Sequence, residues 1–135
     1  MSDCIFCKIV AGEIPAEKIY EDNETLAFLD IAPVNKGHVL VITKKHFANM
    51  EEIDEQTLCS MVKNVKKIGL ALKKGLGIAG YNIQVNNDPI AGQIIPHVHF
   101  HIIPRVEGDG LKLWPQGKYI EGEVEKVADK IKNNL

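Results

Sequence analysis

A chain of 135 residues with a formal net charge of −2 has room for one domain with a real core and little for a second. Its pI near 6.2 and its lysines, scattered along helical stretches and not clustered with aromatic residues, leave no basic footprint for nucleic acid. No apolar run approaches the roughly 18 residues of a membrane helix, no charged-then-apolar leader opens the chain, and an odd cysteine count argues against a disulfide framework, so a cytoplasmic protein with reduced thiols is expected.

Cys4 to Ala11 carries a short helical apolar pattern that ends at Gly12, a residue suited to a helix C-terminus. Lys18–Glu21 and Thr25–Asp30 read as two strands around the turn Asp22-Asn23-Glu24, which makes a hairpin. Residues 31–37 form a loop by their Pro, Asn and Gly, and His38–Thr43 is a near-continuous apolar run that fits a central strand. Asp54 is placed to cap a long helix with Leu58, Met61, Val62, Val65, Ile68, Gly69 and Leu72 at helical spacing and Gly75 at its end. Cys59, inside that helix, reads as a small buried apolar residue. Tyr81–Asn86 is the next strand, residues 87–93 a loop, and Glu121–Lys132 a terminal helix with Val124, Val127 and Ile131. Mostly hairpin-linked strands with helices packed to one side imply a single α+β domain over 1–135: a five-stranded antiparallel sheet, one long helix, and shorter N- and C-terminal helices.

The fifth strand carries the chemistry. In Pro96-His97-Val98-His99-Phe100-His101-Ile102-Ile103-Pro104 three histidines alternate with apolar residues, so a period of two sends His97, His99 and His101 to one face and Val98, Phe100 and Ile102 to the core. Imidazoles about 6.5 Å apart can embrace a phosphate, one ring as nucleophile and the others as donors, or hold a metal. Pro96 removes a ladder N–H, which suggests a strand start or edge there.

This His-φ-His-φ-His-φ-φ run, with φ apolar, resembles the signature of the histidine triad (HIT) superfamily of nucleotide hydrolases and transferases, and the resemblance extends from about Cys4 to Trp114. The opening Cys4-Ile5-Phe6-Cys7-Lys8-Ile9 is similar to the Hint-type branch more than to the diadenosine-polyphosphate branch. The resemblance implies a HIT-like fold, a homodimer, a purine nucleotide substrate, and cleavage of nucleoside monophosphate esters or phosphoramidates through a nucleotidyl-histidine on His99, with no metal required for the chemistry. It implies that His101 contacts the phosphate and leaving group, that His38 belongs to the nucleotide-binding set, that His97 serves the hydrogen-bond network with His38 where no cysteines claim it for a metal, and that Asp30 in Phe28-Leu29-Asp30-Ile31 binds both ribose hydroxyls as a bidentate acceptor. Phe6, Ile9, Phe28 and Ile31 would wall the purine, Asn86 would make a polar contact to phosphate or ribose, and Ala91-Gly92-Gln93 matches the loop whose backbone approaches phosphate. Read without the family, the apolar residues among these are simply core.

Cys4 and Cys7 have a Cys-x-x-Cys zinc spacing, with His46 and His97 as candidates for the remaining pair. Some HIT branches, including the related galactose-1-phosphate uridylyltransferases, use this pattern for structural zinc. Two departures stand out. Ile94 occupies a position where many Hint-type proteins carry a serine or threonine, and Leu113-Trp114-Pro115-Gln116-Gly117 resembles their Trp-Pro-x-Gly only after a longer insertion, Val106 to Lys112. The alternatives are a zinc-stabilised nucleotide-binding regulatory protein with little turnover, a dinucleoside polyphosphate hydrolase, and a metalloenzyme with His97, His99 and His101 as open zinc ligands.

Overall fold

The computed structural model describes residues 3–135. Its sheet runs β1 (Lys18–Glu21), β2 (Thr25–Leu29), β3 (Val39–Thr43), β4 (Gly80–Val85) and β5 (His99–Arg105), every pair antiparallel, in the order β1-β2-β3-β5-β4. The β1–β2 turn closes on the Asp22 carboxylate, which accepts the N–H groups of Glu24 and Thr25 at 2.9 and 2.8 Å.

Helix α1 (Ile5–Val10) begins at Cys4, whose sulfur accepts the Cys7 N–H, and ends before Gly12 at φ +78°. Helix α2 (Glu55–Leu76) is capped by the Asp54 carboxylate on the Thr57 N–H at 3.0 Å. It runs through Gly75 and stops at Gly77, whose φ of +66° lets it take the left-handed closing turn.

The helices are not packed to one side. Met61, Val65, Ile68 and Leu72 of α2 pack with Ala27, Val39, Val41, Phe100 and Ile102, while Phe6 and Ile9 of α1 pack on the opposite face with Leu26, Phe28, Leu40 and Ile42. β2 and β3 are buried along nearly their whole length, and strands apolar on both faces need cover on both. Two expected core positions of α2 are outside it: Cys59 and Val62 are exposed, because the buried stripe runs along Met61, Val65, Ile68 and Leu72 and leaves both off its edge. Residues 106–122 form neither helix nor strand, and α3 (Glu123–Lys132) buries no residue, its Val124 and Ile131 remaining exposed.

Candidate active site and metal centre

β5 places its side chains by alternation: Phe100 and Ile102 go to the α2 face, His99 and His101 to the α1 face. Cross-strand register sets His99 opposite Ile42 and His101 opposite Leu40 on β3 and Gln84 on β4. These two rings stand 4.9 Å apart between centroids. They open into a cavity of about 460 Å³ between α1, the sheet and the loop after β2, within the range of small-molecule sites.

His97 departs from the expected row. It lies in a bend before β5, fully buried, since the Val98 N–H is taken by the Phe47 carbonyl at 2.8 Å and pairing with β3 begins only at His99. Its ring turns toward α1 and the end of β3. His97, His99 and His101 therefore do not converge on one ion, and the open-zinc arrangement is ruled out by geometry.

Backbone groups fix the protons on these rings. His99 Nδ1–H donates to the His97 carbonyl at 2.7 Å, which leaves Nε2 as the ring's lone-pair nitrogen. The Val34 N–H donates to Nδ1 of His38 at 3.1 Å, so the His38 proton sits on Nε2 and is donated to Nδ1 of His101 at 2.9 Å. His101 then keeps its own proton on Nε2. Burial pushes all three rings below the ordinary imidazole value, His101 to about 4, against an opposing pull from the Asp30 carboxylate, so each is neutral at pH 7. Phe6 stands edge-on to His99 at 5.1 Å and to Phe28 at 5.8 Å, so one aromatic ring from α1 both packs on His99 and walls the cavity.

Of the other sequence candidates, Phe6, Ile9, Phe28 and Leu29 line the cavity's apolar wall, and Ile31, 97 % exposed, stands at its mouth. Asp30, His38, Asn86 and Gly92 line its polar side. Asp30 Oδ1 accepts the Ala32 N–H at 2.8 Å, and Oδ2 lies 3.8 Å from Nδ1 of His38. Gln93 is turned away: its amide bonds the Ala48 carbonyl at 2.6 Å and the Asp88 N–H at 2.8 Å. The N–H groups of Gly92 and Gln93 are also committed, to the carbonyls of Pro89 and Asp88, so these two residues offer no free backbone donors. Gly92 has φ +93°, and its missing Cβ leaves the Asn86 amide room to lie against it. Sequence reasoning missed Gln84, which lines the cavity opposite His101 and donates to Asn86 Oδ1 at 3.2 Å. The alternation of β4, with Tyr81 and Val85 packed on the α2 core and Gln84 on the other face, carried that signal.

Beside the cavity, Cys4, Cys7, His46 and His97 bring four donor atoms within 4.8 Å of one another. Cys4 Sγ lies 3.4 Å and Cys7 Sγ 3.6 Å from His97 Nδ1, and Cys7 Sγ lies 3.3 Å from His46 Nδ1. A tetrahedral zinc with ordinary sulfur and nitrogen bond lengths has edges of about 3.5 Å between such donors. His97 Nε2–H is donated to the Thr43 carbonyl at 2.8 Å, which turns the Nδ1 lone pair to the sulfurs, the outer-shell arrangement of a metal-bound imidazole. The donor set fits zinc.

Comparison with known proteins agrees with this geometry. The HIT domain family profile matches residues 11–108. The chain is 60% identical over 107 residues to an uncharacterized HIT-like protein of Methanocaldococcus jannaschii, covering 79% of this chain and 82% of that one. It is 42% identical over 134 residues to an adenosine 5'-monophosphoramidase of Schizosaccharomyces pombe, covering 98% of each. A zinc-bound histidine triad family protein from Mycobacterium smegmatis superposes with a TM-score of 0.78 at 34% identity, covering 99% of both chains.

Proposed function

This chain belongs to the HIT domain family, and we propose on that footing that it is a nucleotide hydrolase cleaving purine nucleoside monophosphate derivatives, AMP–X to AMP and X, with phosphoramidates favoured. The observation that carries the reading is the tautomer pair: a neutral His99 with its Nε2 lone pair open beside a His101 whose Nε2 keeps its proton. Nε2 of His99 attacks the α-phosphorus, and the bond to X breaks as the phosphorus–nitrogen bond forms. The N–H of His101 is shared with the leaving atom, and water then cleaves the nucleotidyl-histidine to release AMP. As the new bond draws electrons from the ring, the His97 carbonyl on Nδ1–H stabilises the charge that develops there. The close likeness to an adenosine 5'-monophosphoramidase supports this substrate class over dinucleoside polyphosphates and over binding without turnover.

Phe6, Ile9, Phe28 and Ile31 hold the purine in this reading, and Asp30 holds the ribose. Zinc, where bound, is structural, held by Cys4, Cys7, His46 and His97, and supplies no chemistry to the phosphate. The working unit is a homodimer in a reducing, cytoplasmic setting, in keeping with three free thiols. The test is incubation with an adenosine 5'-phosphoramidate and trapping of the acid-labile adduct. The unmodified protein forms it and turns over, while His99→Ala folds, forms none and releases no AMP. An adduct surviving in His99→Ala overturns the assignment.

A further inference from the structure

The loop between β2 and β3 brings Asp30, Ile31 and Val34 to the cavity, and its tip is gripped from outside the site by Asp109. This carboxylate, whose side chain is 5% exposed, takes donors from four residues. Arg105 gives Nε at 2.8 Å and Nη2 at 3.0 Å, the backbone N–H groups of Val106 and Leu111 come at 3.2 and 3.0 Å, and Asn35 Nδ2 at 3.1 Å. Asn35 Nδ2 also donates to the Pro104 carbonyl at 2.9 Å. On its main-chain side the Asn35 carbonyl accepts the His38 N–H at 3.1 Å. One residue is thus clamped between a buried acidic node on the sheet's end and the histidine that feeds His101.

The neighbour of that clamped residue is Val34, whose N–H sits on Nδ1 of His38. A free imidazole holds its proton on either nitrogen, and the hydrogen bond at one nitrogen decides the other. If the Val34 N–H moves off, His38 is free to carry its proton on Nδ1, toward Asp30 Oδ2 at 3.8 Å, and its Nε2 becomes an acceptor. His101 must then turn its own proton inward to meet it, and the cavity loses a donor. Charge-assisted bonds from a guanidinium fork make the Asp109 end stiff, whereas the tautomer of the His38 ring depends on one neutral contact at Nδ1.

We propose that Asp109 is a positioning residue for the His38–His101 pair, acting through Asn35 to keep the Val34 N–H on His38 and the His101 N–H directed into the cavity. The functional consequence rests on the reading of His99 and His101 as the reacting pair.

Two variants test it: Asp109→Ala, which removes the node, and Asn35→Ala, which cuts the link while leaving Arg105 on Asp109. Val65→Ala, on the buried face of α2 and away from the site, serves as a control for general softening. Long-range ¹H–¹⁵N spectra of the imidazoles, recorded without substrate, report which ring nitrogens carry protons. The unmodified protein and Val65→Ala are expected to show His38 and His101 each as a single Nε2–H tautomer, and both node variants to show averaged shifts for these two rings. With an adenosine 5'-phosphoramidate, kcat is expected to fall about tenfold in both node variants while KM stays within about twofold. Single tautomers retained in both node variants, whatever their loss of stability, overturn the proposal, and so does equal averaging in Val65→Ala. Absence of turnover in the unmodified protein would count against the hydrolase reading alone, since the ring spectra decide the positioning independently.

Discussion

Asp30 shapes its loop and lines the cavity with the same carboxylate. Oδ1 accepts the Ala32 N–H, and both oxygens keep lone pairs for further donors. Asp30→Asn keeps a carbonyl oxygen for Ala32 and puts an NH₂ where the charged acceptor was. A hydrogen bond to a charged group contributes about 1.5–3 kcal/mol, so KM for a ribonucleotide phosphoramidate should rise at least about tenfold with kcat little changed. The advantage over the 2'-deoxy substrate should shrink with it. Steady-state kinetics on the ribo and deoxy pair measure this, and an unaltered ratio would remove Asp30 from ribose binding. Residue identity made the candidates legible, because histidine, aspartate and cysteine at fixed spacings limit the available chemistry. What each side chain touches was less legible. Gln93 sits beside Gly92 in sequence, yet its amide serves Ala48, 45 residues away, and no local pattern encodes such a contact. His97 left the strand for a similar reason, a bond from Val98 to distant Phe47.

At the scale of elements, α2 was legible from its period and its Asp54 cap, but the width of its buried stripe was not. Asn64 lies inside that stripe because its amide reaches Asp22 at 2.8 Å and Thr25 Oγ1 at 2.6 Å, tying the helix to the β1–β2 turn. An apolar template passes over such a residue, just as it includes Val62, which faces out. Gly69 shows what the template gets right for another reason. The Tyr81 ring of β4 lies so close to the helix there that a Cβ on residue 69 would overlap the end of the ring. Gly69→Ala should therefore destabilise the fold by about 1–3 kcal/mol through overpacking, despite the better helix propensity of alanine. Urea unfolding measures it, and a double-mutant cycle with Tyr81→Leu should show strong non-additivity, because removing the ring end removes the clash. Equal stability of Gly69→Ala and the unmodified protein would show that the ring swings aside without loss.

For the whole molecule the question is what holds α1 over the sheet. A helix of six residues has little stability of its own, and α1 is fixed by Phe6 and Ile9 in the second core and by the thiols at its start. The Cys-His cluster joins three separate stretches, around α1, after β3 and before β5, so an ion there cross-links the cover of the cavity to the strands beneath it. The same His97 that offers Nδ1 to the cluster offers its carbonyl to His99 Nδ1–H, which links the Cys-His cluster to the proposed nucleophile through one residue. Protein purified without added metal or a polyhistidine tag should contain about one zinc per chain, in line with a closed four-ligand site, and Cys4→Ser with Cys7→Ser should contain none. Because a metal bound only in the folded state stabilises by its binding free energy, stripping it with a chelator should lower Tm by roughly 10 °C or more. Turnover should fall as α1 loosens over the cavity, while the nucleotidyl adduct on His99 still forms, because phosphate chemistry and zinc use different atoms. Clearly substoichiometric zinc in the unmodified protein, or the same zinc content in the double variant, would return Cys4 and Cys7 to the role of two reduced thiols, with α1 held by Phe6 and Ile9 alone.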